Sequence, residues 1–253
     1  MFEKIDTIFS TVKGYTQRPA LALWDILLGH QQRVGTVGNL CEIGVGYGLT
    51  ATVAATYLRP DEKLILVDYP GRFRQTVEDA VIAHAGAEAW RAVEWNAMDS
   101  REFRRGMTAA ELGPVRWFHI DGEHTDEAVS NDLDMAHDLL GRDGIVCMDD
   151  FFSMRYIQVT QALFRYVDRH PDRFRLFLCG FNKGFLCRPS RLRAHLELIA
   201  DPAFQDAMKE RGQPCTLYKT TFSAELDCYG VQAERESPFF GPDWAVKDRS
   251  VYL

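Results

Sequence analysis

Between Arg116 and Phe152 the chain spells out a strand, a helix and a second strand, with acidic residues at both strand ends. Val115 to Ile120 is a short apolar run that closes on Asp121. From Thr125 to Leu140, the residues Val129, Leu133, Ala136 and Leu140 fall on one helical face. Gly141 and Gly144 break that pattern, and Ile145 to Met148 form a second strand ending in Asp149 and Asp150. A crossover of this kind makes its two strands parallel neighbours. Both carboxyl ends then open on one edge of the sheet, where open α/β sheets bind ligands. Asp121, His124, Asp149 and Asp150 are therefore predicted to share one crevice.

Carboxylates crowded into a crevice repel one another unless something neutralises them. A hard divalent cation with oxygen ligands does so economically. A single aspartate after a strand reads more simply as a strand end or helix cap. Three at facing strand ends with a histidine beside them point to a metal or to catalysis.

The preceding half carries a nucleotide-binding pattern. Asn39 to Ile43 is a short strand, followed at once by the glycine-rich run Glu42 to Gly48 and a helix to about Leu58. Glycines after a strand permit a tight turn and close backbone approach to a ligand. The helix that follows offers free N–H groups to an anionic group. Lys63 to Val67 is a second strand, ending in Asp68. That carboxylate stands about twenty residues beyond the last glycine, suited to a ribose diol. Phe73 to His84 reads as a helix and Val93 to Trp95 as a third strand, followed by Asn96 and Ala97.

The glycine spacing is E-x-G-x-G-x-G, not the G-x-G-x-x-G of dinucleotide enzymes. It resembles the first motif of class I S-adenosylmethionine-dependent methyltransferases. That resemblance implies that Glu42, Gly44, Val45 and Gly46 line the methionine and ribose region. It places Asp68 on the ribose hydroxyls and Asn96 and Ala97 beside the adenine, where the family more often has Gly-Asp. I-D-G-E-H-T-D-E-A-V-x-x-D-L followed by L-L-G-R-D-G-I-V-C-M-D-D-F resembles the macrocin O-methyltransferase group, which methylates sugar hydroxyls of antibiotic glycosides with magnesium. The resemblance spans Glu42 to about Pro189. It implies that Asp121, Asp149 and Asp150 ligate Mg2+, that Asp121 also borders the cofactor, and that His124 is the general base. Glu123 stands where the group commonly has Asp, and Asp126 where an aromatic is common. An aromatic diol of the catechol type is an alternative acceptor. A dinucleotide dehydrogenase and a non-catalytic S-adenosylmethionine-binding or assembly protein are the competing readings, and a cofactor titration separates the first of these. Three converging carboxylates argue against the second.

At 253 residues, with 46% apolar and 26% charged, the chain is expected to form one large α/β domain with appendages. A net charge of -7 with no basic run does not suggest a nucleic-acid groove. No apolar stretch is long enough for a bilayer, and M-F-E-K-I-D lacks the layout of a signal peptide. Six cysteines without a C-x-x-C pair read as buried thiols, so a cytoplasmic, reduced protein is expected.

Residues 1–35 are expected to be helical and to act as a lid or in assembly. Residues 36–189 are expected, from the resemblance, to form a class I methyltransferase core, a Rossmann-like α/β fold with a seven-stranded, mostly parallel sheet and helices on both faces. Residues 190–253 are expected to be a helical and aromatic extension. Within the core, Phe174 to Cys179 and Gly184 to Cys187 form the closing hairpin, with Asn182 and Lys183 as turn residues. His119 reads as a packed strand residue, and at least one of Phe151 and Phe152 as core. The aromatic segment S-P-F-F-G-P-D-W is expected to wrap the core or a neighbouring subunit of a homo-oligomer, or to close the acceptor site.

Overall fold

The computed structural model describes residues 2–220 and 227–234. Two helices, α1 (Phe2–Thr11) and α2 (Arg18–Arg33), precede the first strand, β1 (Asn39–Ile43). There follow α3 (Leu49–Ala55), β2 (Leu64–Val67), α4 (Arg74–Ala85), α5 (Ala87–Arg91), β3 (Val93–Asn96), α6 (Ser100–Gly106) and α7 (Ala109–Leu112). The acidic strand–helix–strand unit is β4 (Val115–Ile120), α8 (Asp126–Leu139) and β5 (Leu140–Met148). Next come α9 (Ile157–Arg169), β6 (Arg175–Gly180), β7 (Lys183–Cys187), α10 (Leu192–Ala200) and α11 (Pro202–Glu210). The last described elements are β8 (Cys215–Thr220) and β9 (Cys228–Ala233).

The nine strands among the described residues form one sheet in the order β3-β2-β1-β4-β5-β7-β6-β9-β8. The first five run parallel, and β7 pairs antiparallel with both β5 and β6. These seven are the expected sheet, with its closing hairpin. The further two strands are a departure from it. β9 adds in parallel to the free edge of β6, and β8 pairs antiparallel with β9. An unpaired edge is an open row of donors and acceptors, and this ribbon covers it. A side chain at Gly180 would meet the Val231 carbonyl oxygen at 2.2 Å, so glycine permits the approach. The S-P-F-F-G-P-D-W segment lies outside the described residues.

The central strands are buried on both faces, which is why they read as continuous apolar runs. One face carries Leu40, Leu64, Leu66, Trp117, Ile145 and Cys147 against α2 and α3. The other carries Ile43, Ile65, Val67, Phe118, Ile120, Val146 and Met148 against α8 and α9. In α8, Val129, Leu133 and Ala136 make the inward stripe, and the Thr125 side chain caps its first turn by accepting from Ala128 N–H at 3.3 Å.

A buried ion pair ties the N-terminal helices to this sheet. The Arg116 guanidinium, on β4, donates to both Glu62 oxygens at 2.8 and 2.9 Å, to Gln31 of α2 at 3.1 Å and to the Tyr57 carbonyl at 2.8 Å. Removing one partner of such a pair leaves a buried charge uncompensated. Glu62→Gln is expected to cost about 3–5 kcal/mol of unfolding free energy; a urea denaturation midpoint equal to that of wild type would disprove it.

Candidate active site

The carboxyl ends of β1, β2, β4 and β5 open into a cavity of about 920 Å³, which the connection between α1 and α2 also borders through Gly14, Tyr15 and Thr16. Helix α2 lies deep against the sheet, with Trp24 edge-on to Trp117 at 4.9 Å. The N-terminal segment thus contributes both core and cavity wall.

On the cofactor side, the turn after β1 is held by backbone geometry. Gly44 has φ +81, and a Cβ there would lie 1.9 Å from the Asp121 carbonyl oxygen. The turns after β1 and β4 can approach this closely only because Gly44 lacks a side chain. A Cβ on Gly46 would meet nothing within 4 Å, so the turn faces open space there. Asp68 accepts from the N–H groups of both Val45 and Gly46 at 2.8 Å through one oxygen. It therefore shapes the turn from the neighbouring strand end while also lining the cavity.

Glu42 lies beneath the turn rather than on the cavity wall. It is 1% exposed and accepts from the Thr50 hydroxyl at 2.5 Å. The Asn96 amide donates to the carbonyls of Glu94 at 3.2 Å and Leu66 at 3.4 Å. Ala97 is exposed, and the cavity is bordered at this point by Met98, Asp99 and Ser100. Arg101 pairs with both oxygens of Asp99, which holds that carboxyl down at about 2.

On the acceptor side, the predicted residues come together. Asp121 N–H donates to the Ile43 carbonyl and Asp149 N–H to the Ile120 carbonyl, at 2.8 and 2.9 Å, so the parallel pairing continues into the acidic turns. His124 Nε2 lies 2.8 Å from Asp150 and 3.8 Å from Asp121. Its ring stacks on Tyr156, with centroids 3.8 Å apart. Contacts with Asp121 and Asp150 outweigh its partial burial and raise the His124 pKa to about 9. Burial and the charge of Asp149 raise Asp121 to about 6, against the pull of His124. Burial would also raise Asp150, but His124 and Asn182 hold it below the usual carboxylate range. Asn182 donates to Asp150 at 2.9 Å.

Four non-glycine residues here adopt left-handed backbone: Asp150, Phe152, Phe181 and Asn182. Such conformations concentrate where a site fixes its side chains. They also part the two phenylalanines: Phe151 is buried, and Phe152 is 60% exposed.

A second group of charges lies below the acidic cluster. Glu42 and His119 are cross-strand partners on β1 and β4, and His119 is the partner of Cys147 on β5. Asp149 follows two residues later, on the same face. His119 Nδ1 lies 3.2 Å from Glu42, and Nε2 lies 3.5 Å from Asp149. Burial alone would lower the His119 pKa, but the two carboxylates raise it to about 9. Met148 pairs with Gly184, so Lys183 stands opposite Asp149 one step further on. The Lys183 ammonium is hydrogen bonded to Asp149. Burial pushes Asp149 up, but Lys183 and His119 more than offset it and hold the carboxyl well below its usual range.

Lys183 and Asn182 are thus part of the site and not mere turn residues. His119 is packed as expected, yet between two charges. The strand alternation that puts His119 on the face of Trp117 was available from sequence. The partners were not, because they come from two other strands.

A family model described as "Methyltransferase domain" matches residues 41–151. No curated protein matches the chain. Solved structures do. CalS11, a TDP-rhamnose 3'-O-methyltransferase of calicheamicin biosynthesis, is 16% identical, with a TM-score of 0.53 over 65% of this chain and 79% of that one. TomG from Streptomyces achromogenes, an O-methyltransferase involved in tomaymycin synthesis and solved with S-adenosylmethionine, is 16% identical, with a TM-score of 0.51 over 73% and 88%. The SAH-bound methyltransferase PaMTH1 of Podospora anserina is 12% identical, with a TM-score of 0.52 over 74% and 86%. Residues 41–151 thus match a methyltransferase domain, and the chain has the fold of these S-adenosylmethionine-dependent enzymes. Its strand order and the cavity at the strand ends are those of the class I fold. No helix among the described residues is long and apolar enough to cross a membrane.

Proposed function

We propose that this chain is an S-adenosylmethionine-dependent methyltransferase that acts on a hydroxyl group of a small molecule with the help of a divalent ion, Mg2+ by preference. The favoured acceptor is a sugar of a secondary-metabolite glycoside. The observation that carries the reading is the convergence of Asp121, His124 and Asp150 on the cavity, beside the glycine turn. Each offers a ligand atom within 4.8 Å of the others. Two carboxylates at this spacing suit a hard cation, so the residues fit the ion. Asp121 and Asp150 would hold it, with Asp149 behind them. Bound there, a divalent ion lowers the pKa of an acceptor hydroxyl.

The chain itself supplies position and proton handling. The turn from Gly44 to Gly48 and Asp68 seat the methyl donor on one side of the cavity. The β4 and β5 ends present the acceptor on the other. Attack on a sulfonium methyl is in line and needs no acid for the leaving group, so placement carries much of the rate. His124 takes the hydroxyl proton at Nε2 once it is no longer held as imidazolium by Asp121 and Asp150. The TDP-rhamnose in the name of CalS11, and the natural-product syntheses to which CalS11 and TomG belong, support an acceptor of that class. The flat Tyr156 ring on His124, with Arg155 over it at 5.3 Å, favours an aromatic diol as a second reading. Titration of the protein with S-adenosylmethionine and with a divalent ion tests the proposal.

A further inference from the structure

The acidic centre has two layers that differ in charge balance. The outer layer faces the cavity and holds Asp121, His124 and Asp150, all partly exposed. The inner layer holds Glu42, His119, Asp149 and Lys183, each at most 8% exposed, and of these Asp149 also borders the cavity. It contains two carboxylates and two basic groups, arranged alternately across β1, β4, the end of β5 and β7. Charges this deep persist only when paired, and here each is paired within the layer.

Asp149 is fully engaged in that pairing. One of its oxygens accepts from the Lys183 ammonium and from Asp150 N–H, the latter at 2.7 Å, with the Asn182 amide at 3.5 Å. The other oxygen faces His119 at 3.5 Å. Asp121 and Asp150 form no ion pair with a lysine or arginine among the described residues, although the Lys183 charge also acts on Asp121. The third aspartate of the cluster is therefore matched by a cation of the chain's own.

We infer that Lys183 sets the affinity of the divalent-ion site: its ammonium engages Asp149 and keeps it from the ion, which Asp121 and Asp150 bind alone. This rests on the ion-binding reading above. A fixed positive charge near a cation site also repels the incoming cation, so Lys183 weakens binding twice over. The ion is then held loosely and exchanges readily, while the aspartate behind it stays ionised and in place.

The test is Mn2+ binding, followed by the loss of the free-ion paramagnetic resonance signal, in wild type, Lys183→Met, Lys183→Arg, Asp149→Asn and the Asp149→Asn/Lys183→Met double variant. Lys183→Met is expected to bind Mn2+ about tenfold more tightly, and Lys183→Arg within about threefold of wild type. Asp149→Asn is expected to change the affinity by less than about threefold while Lys183 is present. The double variant loses both members of a buried pair, which spares the fold the unpaired charge. It therefore decides the matter if Lys183→Met does not fold. It is expected to bind at least as well as wild type. Weaker or unchanged binding in Lys183→Met, or a loss of about tenfold or more in Asp149→Asn or the double variant, would overturn the inference. A wild type that binds no Mn2+ would instead overturn the ion-binding reading, and this inference with it.

Discussion

Asp150→Ala is expected to reduce methyl transfer by about 100- to 1,000-fold, which at 1.36 kcal/mol per decade is about 3–4 kcal/mol of transition-state stabilisation. Asp150 is chosen over Asp149, which also borders the cavity, because its carboxylate is the more exposed and is bound by Asn182 and His124, not by a buried lysine. Its left-handed backbone and the Asn182 contact fix where that carboxylate points. Removing it takes away one of two oxygen donors for the ion and one of two partners of His124. The loss should fall mainly on turnover, and raising the ion concentration should recover only part of it. Equal turnover in Asp150→Ala, with and without chelator, would remove the ion from the mechanism.

His124→Gln is expected to lower turnover by about 100- to 10,000-fold, the range for loss of a positioned general base. The pH dependence is more telling than the size of the loss. With its pKa raised to about 9 by Asp121 and Asp150, His124 carries a proton at neutral pH and cannot accept another. Turnover should therefore rise with pH as the imidazolium deprotonates, and level off above about 9. An ion that engages the two carboxylates withdraws the stabilisation of the imidazolium, so the rising limb should move to lower pH as ion concentration increases. In His124→Gln the limb should vanish. A variant that keeps both rate and limb would place the base elsewhere.

Most of the fold was legible in the chain because parallel strands buried on both faces leave short apolar runs of strand length, and the carboxylates mark where they stop. Asp121, His124, Asp149 and Asp150 converge because one crossover fixes which ends face the same way. The less legible features depend on contacts between distant segments. β8 and β9 belong to the sheet by pairing with each other and with β6, and nothing in the mixed composition of residues 215–233 announces that. The partners of His119 and Lys183 are likewise supplied by register. Lys183 follows Asn182 in what reads as a hairpin turn, and only its place opposite Asp149 gives it a charge to meet. The same holds for Gly14 to Thr16, whose cavity position follows from how α1 and α2 pack.

The first measurement is a calorimetric titration of the purified protein with S-adenosylmethionine, and separately with Mn2+, alongside NAD, repeated on Asp150→Ala. The account predicts binding of the methyl donor in the micromolar range, no binding of NAD, and a divalent-ion site that Asp150→Ala loses while keeping the methyl donor. Binding of NAD instead, or a protein that takes up the methyl donor but no divalent ion, would contradict it.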